Sequence, residues 1–342
     1  NAYYNANRHN KKDKTANREF SIVLALNATK SIPFLSNYNH EYIVIAGGTD
    51  INHNLGKCIN VLLQAKYVVT FTNVMQQKIK ETINIRPENI ITIPQSVDVL
   101  SLNLNSNLNN YGKRWFRKKY DDNYVNSNTN KSNNDVLILL PAGIRPVKDP
   151  GYLIDVVNNQ AKFHSNHNSN TMNNITRKIK LILVGPVRDE KLFTNLKLKE
   201  SKYFKIHPPV QRKEMLYAMK EADVVVNTSL SEGMSGAILE AMAIGTPVMA
   251  RNIPANTALL LEKNVGILFS SPQDFVNKVH DSFIKTDKEK DIHELIQRAK
   301  EFVKDHSMEK EGIAYFKILQ NVFDSHNSEE EEEPLLKKYK KQ

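Results

Sequence analysis

Two glutamates eight positions apart, Glu232 and Glu240, bracket the densest run of functional residue types in the chain, Asn227 to Ala250. An apolar stretch ends there in a polar turn with two glycines, Gly233 and Gly236. A small apolar segment follows, then Gly245 and Pro247 before the next apolar stretch. Ser and Gly are good N-cap types, and Gly245 suits the position just past a helix end, so the spacing predicts a helix from about Ser235 to Gly245. A strand, glycine turn and helix in that order set free N–H groups and the positive helix end at the carboxyl edge of a sheet. Phosphate binds in such places. Glu240 falls among Ala237, Ile238, Leu239, Ala241 and Met242, and a carboxylate in apolar company needs partners. Taken alone it reads as an ordinary exposed helix residue; beside Glu232 and the glycine turn it reads as part of a site.

A second constellation is Leu140 to Pro150, where an apolar run gives way to Gly143, Arg145 and Lys148. Two cations at the carboxyl end of a strand are either solvated surface or a grip for an anion. A third is the polar turn Gly47-Gly48-Thr49-Asp50. Asp50 there faces a cleft, or is a turn residue, or caps the next helix. Rival chemistries lack their residues. There is no G-x-G-x-x-G; Gly56-Lys57 has no upstream glycine of a P-loop; His293-Glu294 lacks the second histidine of a zinc protease; neither Asp-x-Asp nor G-x-S-x-G occurs. No metal site is expected.

The elements that must carry these residues alternate. Short Val-, Ile- and Leu-rich runs lie at Ile22–Leu26, Tyr42–Ala46, Tyr67–Phe71, Ile90–Ile93, Val136–Pro141, Lys180–Val184, Tyr203–Ile206, Val224–Val226 and Pro247–Ala250. They are continuously apolar, as strands buried on both faces of a parallel sheet are. Helix-length amphipathic segments separate most of them: Asp149–Phe163, Lys191–Glu200, Arg212–Glu221 and Gly236–Ile244. That is a βαβ series, and Pro272–Phe323 reads as helices only. The expected organisation is a disordered start (1–17), a first α/β half (18–98), an Asn-rich insert (99–134), a second α/β half with its closing helices (135–325) and a disordered charged tail (326–342). The second half has room for six strands. The first, with four, reads as truncated at its N-terminus.

The Asn227–Ala250 run resembles the E-x7-E signature of the retaining GT-B glycosyltransferases of the group 1 (family 4) type. The resemblance implies two Rossmann-like domains with parallel sheets, and transfer of a sugar from a nucleotide-sugar donor, a UDP-sugar by preference, with retention and without metal or cofactor. It gives Glu232 the donor sugar and Glu240 the ribose hydroxyls, and the N–H groups of Gly233, Met234, Ser235 and Gly236 the donor phosphates. Lys148 and Arg145 match the cations that grip the pyrophosphate, though Arg145 stands three residues before the lysine where five is common. The loop from Ile206 to Gln211 matches the segment that receives the base near Val210; Leu183-Val184-Gly185-Pro186 and Ile93-Pro94-Gln95-Ser96-Val97-Asp98 match two further family segments. Gly143 falls in the donor loop. Asn27 stands where a loop histidine is common, and Asn27 and Asp50 are the candidate acceptor-side residues. A closer match, on residues 47–50, 142–150, 231–235 and 250–255, is to an animal member of the family with little assigned chemistry.

Composition sets the remaining bounds. With 342 residues, 40% hydrophobic and 25% charged, the chain is long enough for two cores. No apolar run reaches the roughly 20 residues of a membrane helix. The single cysteine, Cys58, excludes an intrachain disulfide, and a reducing, cytoplasmic setting is expected. The net charge of +10 is spread over the chain, with clusters only at Lys11–Lys14, Lys113–Lys119 and Lys337–Lys341. These charges read as solvated surface, and no nucleic-acid partner is expected. The alternative function is a nucleotide-sugar-binding protein on the same fold with weak or no turnover, motivated by Asn27 and the short first half. The acceptor is unknown.

Overall fold

The computed structural model describes residues 22–98, 115–121, 135–160, 177–284 and 289–339. The ten strands there form two sheets. The first holds β1 (Val23–Leu26), β2 (Tyr42–Ile45), β3 (Tyr67–Thr70) and β4 (Ile90–Thr92) in sequence order, all parallel. The second holds β5 (Val136–Pro141), β6 (Ile179–Val184), β7 (Phe204–His207), β8 (Val224–Asn227), β9 (Val248–Arg251) and β10 (Ile267–Phe269). Its order is β10-β9-β8-β5-β6-β7, again all parallel. From β5 the chain winds one way to β6 and β7, then returns to pair β8 with β5 on the other side. Ligands bind outside the carboxyl ends of strands at such a switch point. The Lys148 loop leaves β5 there, and the Glu232 turn leaves β8.

Burial explains the continuous apolar runs. β2, β6 and most of β5 are buried at every position. The second sheet carries a core on each face: one with Leu139, Val225, Ile238 and Met242, the other with Ile138, Leu183, Val226 and Phe275. The chain then crosses back. On the long closing helix, Met308–Tyr339, Ile318 and Val322 pack on Ile43, Ile45, Val69 and Ile93 of the first sheet. The same return ties Ser96 N and Oγ to the Glu311 carboxylate, and Val97 N to the His306 carbonyl at 2.9 Å.

The second sheet has the six strands expected of it, the sixth being β10, whose position periodicity does not reveal because three residues are too short for a pattern. Three expectations are corrected. The Asn-rich insert is not all loop: Trp115–Tyr120 is a helix, with Phe116 fully buried and the Arg117 N–H donating to Glu221 at 2.9 Å. One aromatic cluster supplies the apolar surface its Asn-rich flanks lack. The helix expected over Asp149–Phe163 is only Ile154–Asn158, after a short 3-10 turn at Pro146–Lys148; residues 161–163 lie outside the described residues. The tail expected to be disordered from residue 326 continues the last helix to Tyr339, in keeping with the high helix propensity of its Glu, Leu and Lys. The segments 1–17, 99–114, 122–134 and 164–174 lie outside the described residues.

Candidate active site

Glu232 organises the cleft. Its Oε1 accepts from Lys148 Nζ at 2.5 Å, Ser229 Oγ at 2.7 Å and Asn227 Nδ2 at 2.9 Å. The Glu232 side chain is 9% exposed and that of Lys148 19%. Three donors on one oxygen fix the carboxylate in place. Neighbouring strands deliver all four residues. Asn227 ends β8, Lys148 ends the short turn after β5, and the two loops are stitched together by Thr228 Oγ1 to the Lys148 carbonyl (2.9 Å) and Leu230 N to the Val147 carbonyl (2.9 Å).

The residue after Lys148 is held with equal care. Asp149 adopts φ 41°, ψ 53°, a left-handed conformation uncommon for a non-glycine residue. Arg251, at the end of β9, pairs with its carboxylate at 2.7 Å and lies 3.8 Å over the Tyr152 ring. The loop therefore has a supported geometry that aims Lys148 at Glu232.

The helix Gly236–Ile244 starts where the sequence places it, with Ser235 as N-cap and Gly245 at φ 86° closing it. Ser235 makes no side-chain cap bond; its hydroxyl accepts instead from Asn227 Nδ2 at 3.3 Å. The first N–H groups of the helix thus keep their capacity for an anion. Lys148, Glu232, Met234, Ser235 and Gly236 line one cleft with Gln95 of the first half. Arg145, Lys148, Glu232, Gly233 and Met234 line its neighbour, with Gly48, Thr49 and Phe71 opposite. Arg145 is exposed at the rim.

Other expected residues lie apart. Glu240 lines neither cleft; Arg212 covers it, with Nε and Nη2 3.2 and 3.1 Å from Oε1. Burial raises the Glu240 pKa above an ordinary glutamate, and the Arg212 charge opposes that rise. Val210 is half-buried against the core that holds Leu139 and Val225. Gly143 sits on the exit of β5, beside Gly185, where a Cβ would fall 2.1 Å from the Ala142 carbonyl oxygen.

Asp50 and Asn27 are engaged with the backbone of the first half. Asp50 is fully buried. Its carboxylate accepts from Ala28 N (3.0 Å), Thr29 N (3.1 Å), Thr29 Oγ1 (2.6 Å) and Gly47 N (2.8 Å). It is the internal clamp of the first half. Asn27, at φ 71°, caps the Ala28–Leu35 helix by accepting from Lys30 N at 3.0 Å. Asn227, Ser229 and Arg251 are supporting residues that sequence reasoning passed over although each stands inside or beside a motif. Arg212 has no local signal.

Two parallel sheets, a cleft between them and an anion-ready helix start at the switch point define a glycosyltransferase of the GT-B class. The sequence profile described as "Glycosyl transferases group 1" matches residues 143–283. The chain is 31% identical over 321 residues to "Glycosyltransferase 1 domain-containing protein 1" of Xenopus tropicalis, covering 89% of this chain and 83% of that one. The chain belongs to this group 1 family and is a transferase. Among solved structures, Anabaena Alr3699/HepE in complex with UDP-glucose superposes with a TM-score of 0.67 at 17% identity, over 88% of this chain and 78% of that one. S. aureus TarM, crystallised with fondaparinux, alpha-GlcNAc-glycerol and UDP, gives 0.61 at 15% identity over 86% of this chain. Of TarM's own length the chain spans about half (54%). At these identities the likeness is one of fold. No helix among the described residues is long and apolar enough to cross a membrane.

Proposed function

We propose that the protein transfers a sugar from a nucleotide-sugar donor, by preference a UDP-sugar, with retention and without a metal ion. The observation that carries this is the Lys148–Glu232 pair at the mouth of the cleft (2.5 Å), beside the uncapped start of the Gly236–Ile244 helix. Departure of a nucleoside diphosphate develops negative charge, and preorganised cations and N–H groups aimed at it lower the barrier. Lys148, Arg145 and the N–H groups from Gly233 to Gly236 meet that charge. Glu232, held by three donors, takes a donor-sugar hydroxyl. Glu240 takes the ribose diol, for which one carboxylate offers two acceptor oxygens; Arg212 must yield to it. Val210 and Gly143 border the base and the diphosphate. The complexes of HepE with UDP-glucose and of TarM with UDP support the uridine preference. A reducing, cytoplasmic setting suits the single, fully buried Cys58.

The test is a thermal-shift series with UDP-, GDP- and ADP-sugars, followed by proton NMR of the anomeric product. A ligand at 100 times its dissociation constant stabilises by about 2.7 kcal/mol. No shift with any donor overturns the reading. Binding without release of nucleotide or transfer supports the second reading, a binding protein without turnover; the use of Asn27 as a helix cap is the observation that favours it.

A further inference from the structure

The turn that carries Glu232 is gripped from the first half as well as from the second. Gly48 lies so close that a Cβ there would sit 2.2 Å from the Gly233 nitrogen. A Cβ on Gly233 would in turn lie 2.9 Å from the Gly48 nitrogen and 3.1 Å from Met75 Sδ. Beside this contact Asn52 Nδ2 donates to the Glu232 carbonyl at 3.1 Å, from 180 positions away. Lys78 Nζ donates to Asn52 Oδ1 at 3.2 Å. Met75 and Lys78 stand three apart on the Asn73–Thr82 helix, so one face of that helix serves both contacts.

Lys78 decides which way the Asn52 amide points. An ammonium only donates, so it faces Oδ1 and leaves Nδ2 for the carbonyl. The peptide group is planar, so holding the Glu232 carbonyl also sets the direction of the Gly233 N–H and the path of the turn to Ser235. Glu232 is therefore held by its carboxylate from Lys148 and by its carbonyl from Asn52.

We propose that Asn52, oriented by Lys78, is a positioning residue for the transfer. It fastens the Glu232–Ser235 turn to the first half. The inference rests on the reading of this cleft as the sugar-transfer site. Asn52 touches no donor atom in this scheme and acts through the turn whose N–H groups meet the diphosphate, so its loss lowers kcat more than it weakens nucleotide affinity.

Two variants test it, Asn52→Ala and Lys78→Met, each in the full chain. Hydrogen exchange of the 229–236 amides should quicken about three- to tenfold in both, as loss of one hydrogen bond implies, with exchange of the 42–70 segment unchanged. Turnover of the UDP-sugar should fall roughly tenfold to a hundredfold, the scale of a misplaced group, with UDP affinity by calorimetry falling by less than turnover does. The double variant should be no slower than Asn52→Ala, because Lys78 acts through Asn52. Unchanged exchange at 229–236, additive losses, or exchange that quickens across 42–70 would each overturn the proposal. If the parent binds no nucleotide sugar, the functional reading fails, and the exchange result still decides whether the fastening exists. If Asn52→Ala does not fold, Lys78→Met carries the same measurements.

Discussion

Arg212 sits on Glu240 while its Nη2 also donates to the carbonyl of Asp98, at 2.9 Å. One guanidinium thus links the carboxylate assigned to the ribose with the segment that leaves the first half. Between the ordinary glutamate value and the raised one of Glu240, the folded protein keeps a proton that the unfolded chain has released. Stability therefore falls as pH rises through that window. Glu240→Gln should flatten this fall, and Arg212→Ala should steepen it and shift it upward, because the opposing charge is gone. Melting temperatures across about pH 4 to 7 check both; identical profiles for parent and Glu240→Gln would remove the assignment.

Lys148 and Glu240 should separate kinetically. On the proposed reading Lys148 faces charge that grows in the transition state, whereas Glu240 holds a ribose that does not change during reaction. Lys148→Ala should lower kcat by about 10²–10³-fold, and Glu240→Ala should act mainly on KM. Steady-state kinetics with a UDP-sugar measures the split, and parent-like turnover by Lys148→Ala would exclude this phosphate site.

Chelation should not matter. If Lys148, Arg145 and the turn N–H groups meet the diphosphate as proposed, UDP titrated calorimetrically in EDTA should match UDP titrated in magnesium. Loss of binding in EDTA would show that a divalent ion completes the site.

Asp50 should be a stability residue. Asp50→Asn replaces one oxygen of a buried carboxylate with an NH₂ group facing donors. The cost should be about 2–3 kcal/mol, as for a lost charged hydrogen bond, read from urea denaturation. Gly185→Ala should destabilise by roughly 1–3 kcal/mol through overpacking, since its Cβ would meet the Ala142 carbonyl at 2.1 Å. It should also weaken UDP binding by shifting the loop that ends at Lys148; unchanged stability in either variant would contradict the geometry.

Local order decided much of this protein. Nine of the ten strands lie in mainly apolar runs, and the central ones, such as β2 and β5, are apolar along their length because both faces are buried. The helix at Gly236–Ile244 is bounded by residue types that suit helix ends, Ser235 and Gly245. The β10 strand escaped, since Ile267–Phe269 is too short to show a period. The helix at Trp115–Tyr120 escaped as well, since its stability comes from a core it does not itself contain. The roles of Asp50 and Asn27 were not legible, because polar residues in a turn look alike whether they face a cleft or their own backbone. Only the packing of the first half turned Asp50 inward. Nor does any local pattern announce that Arg212 covers Glu240, that Gly48 meets Gly233, or that Asn52 reaches Glu232 across 180 positions. Residue types and their spacing specify which groups a strand end can offer. Which of them face one another follows from how two separately wound sheets are set together.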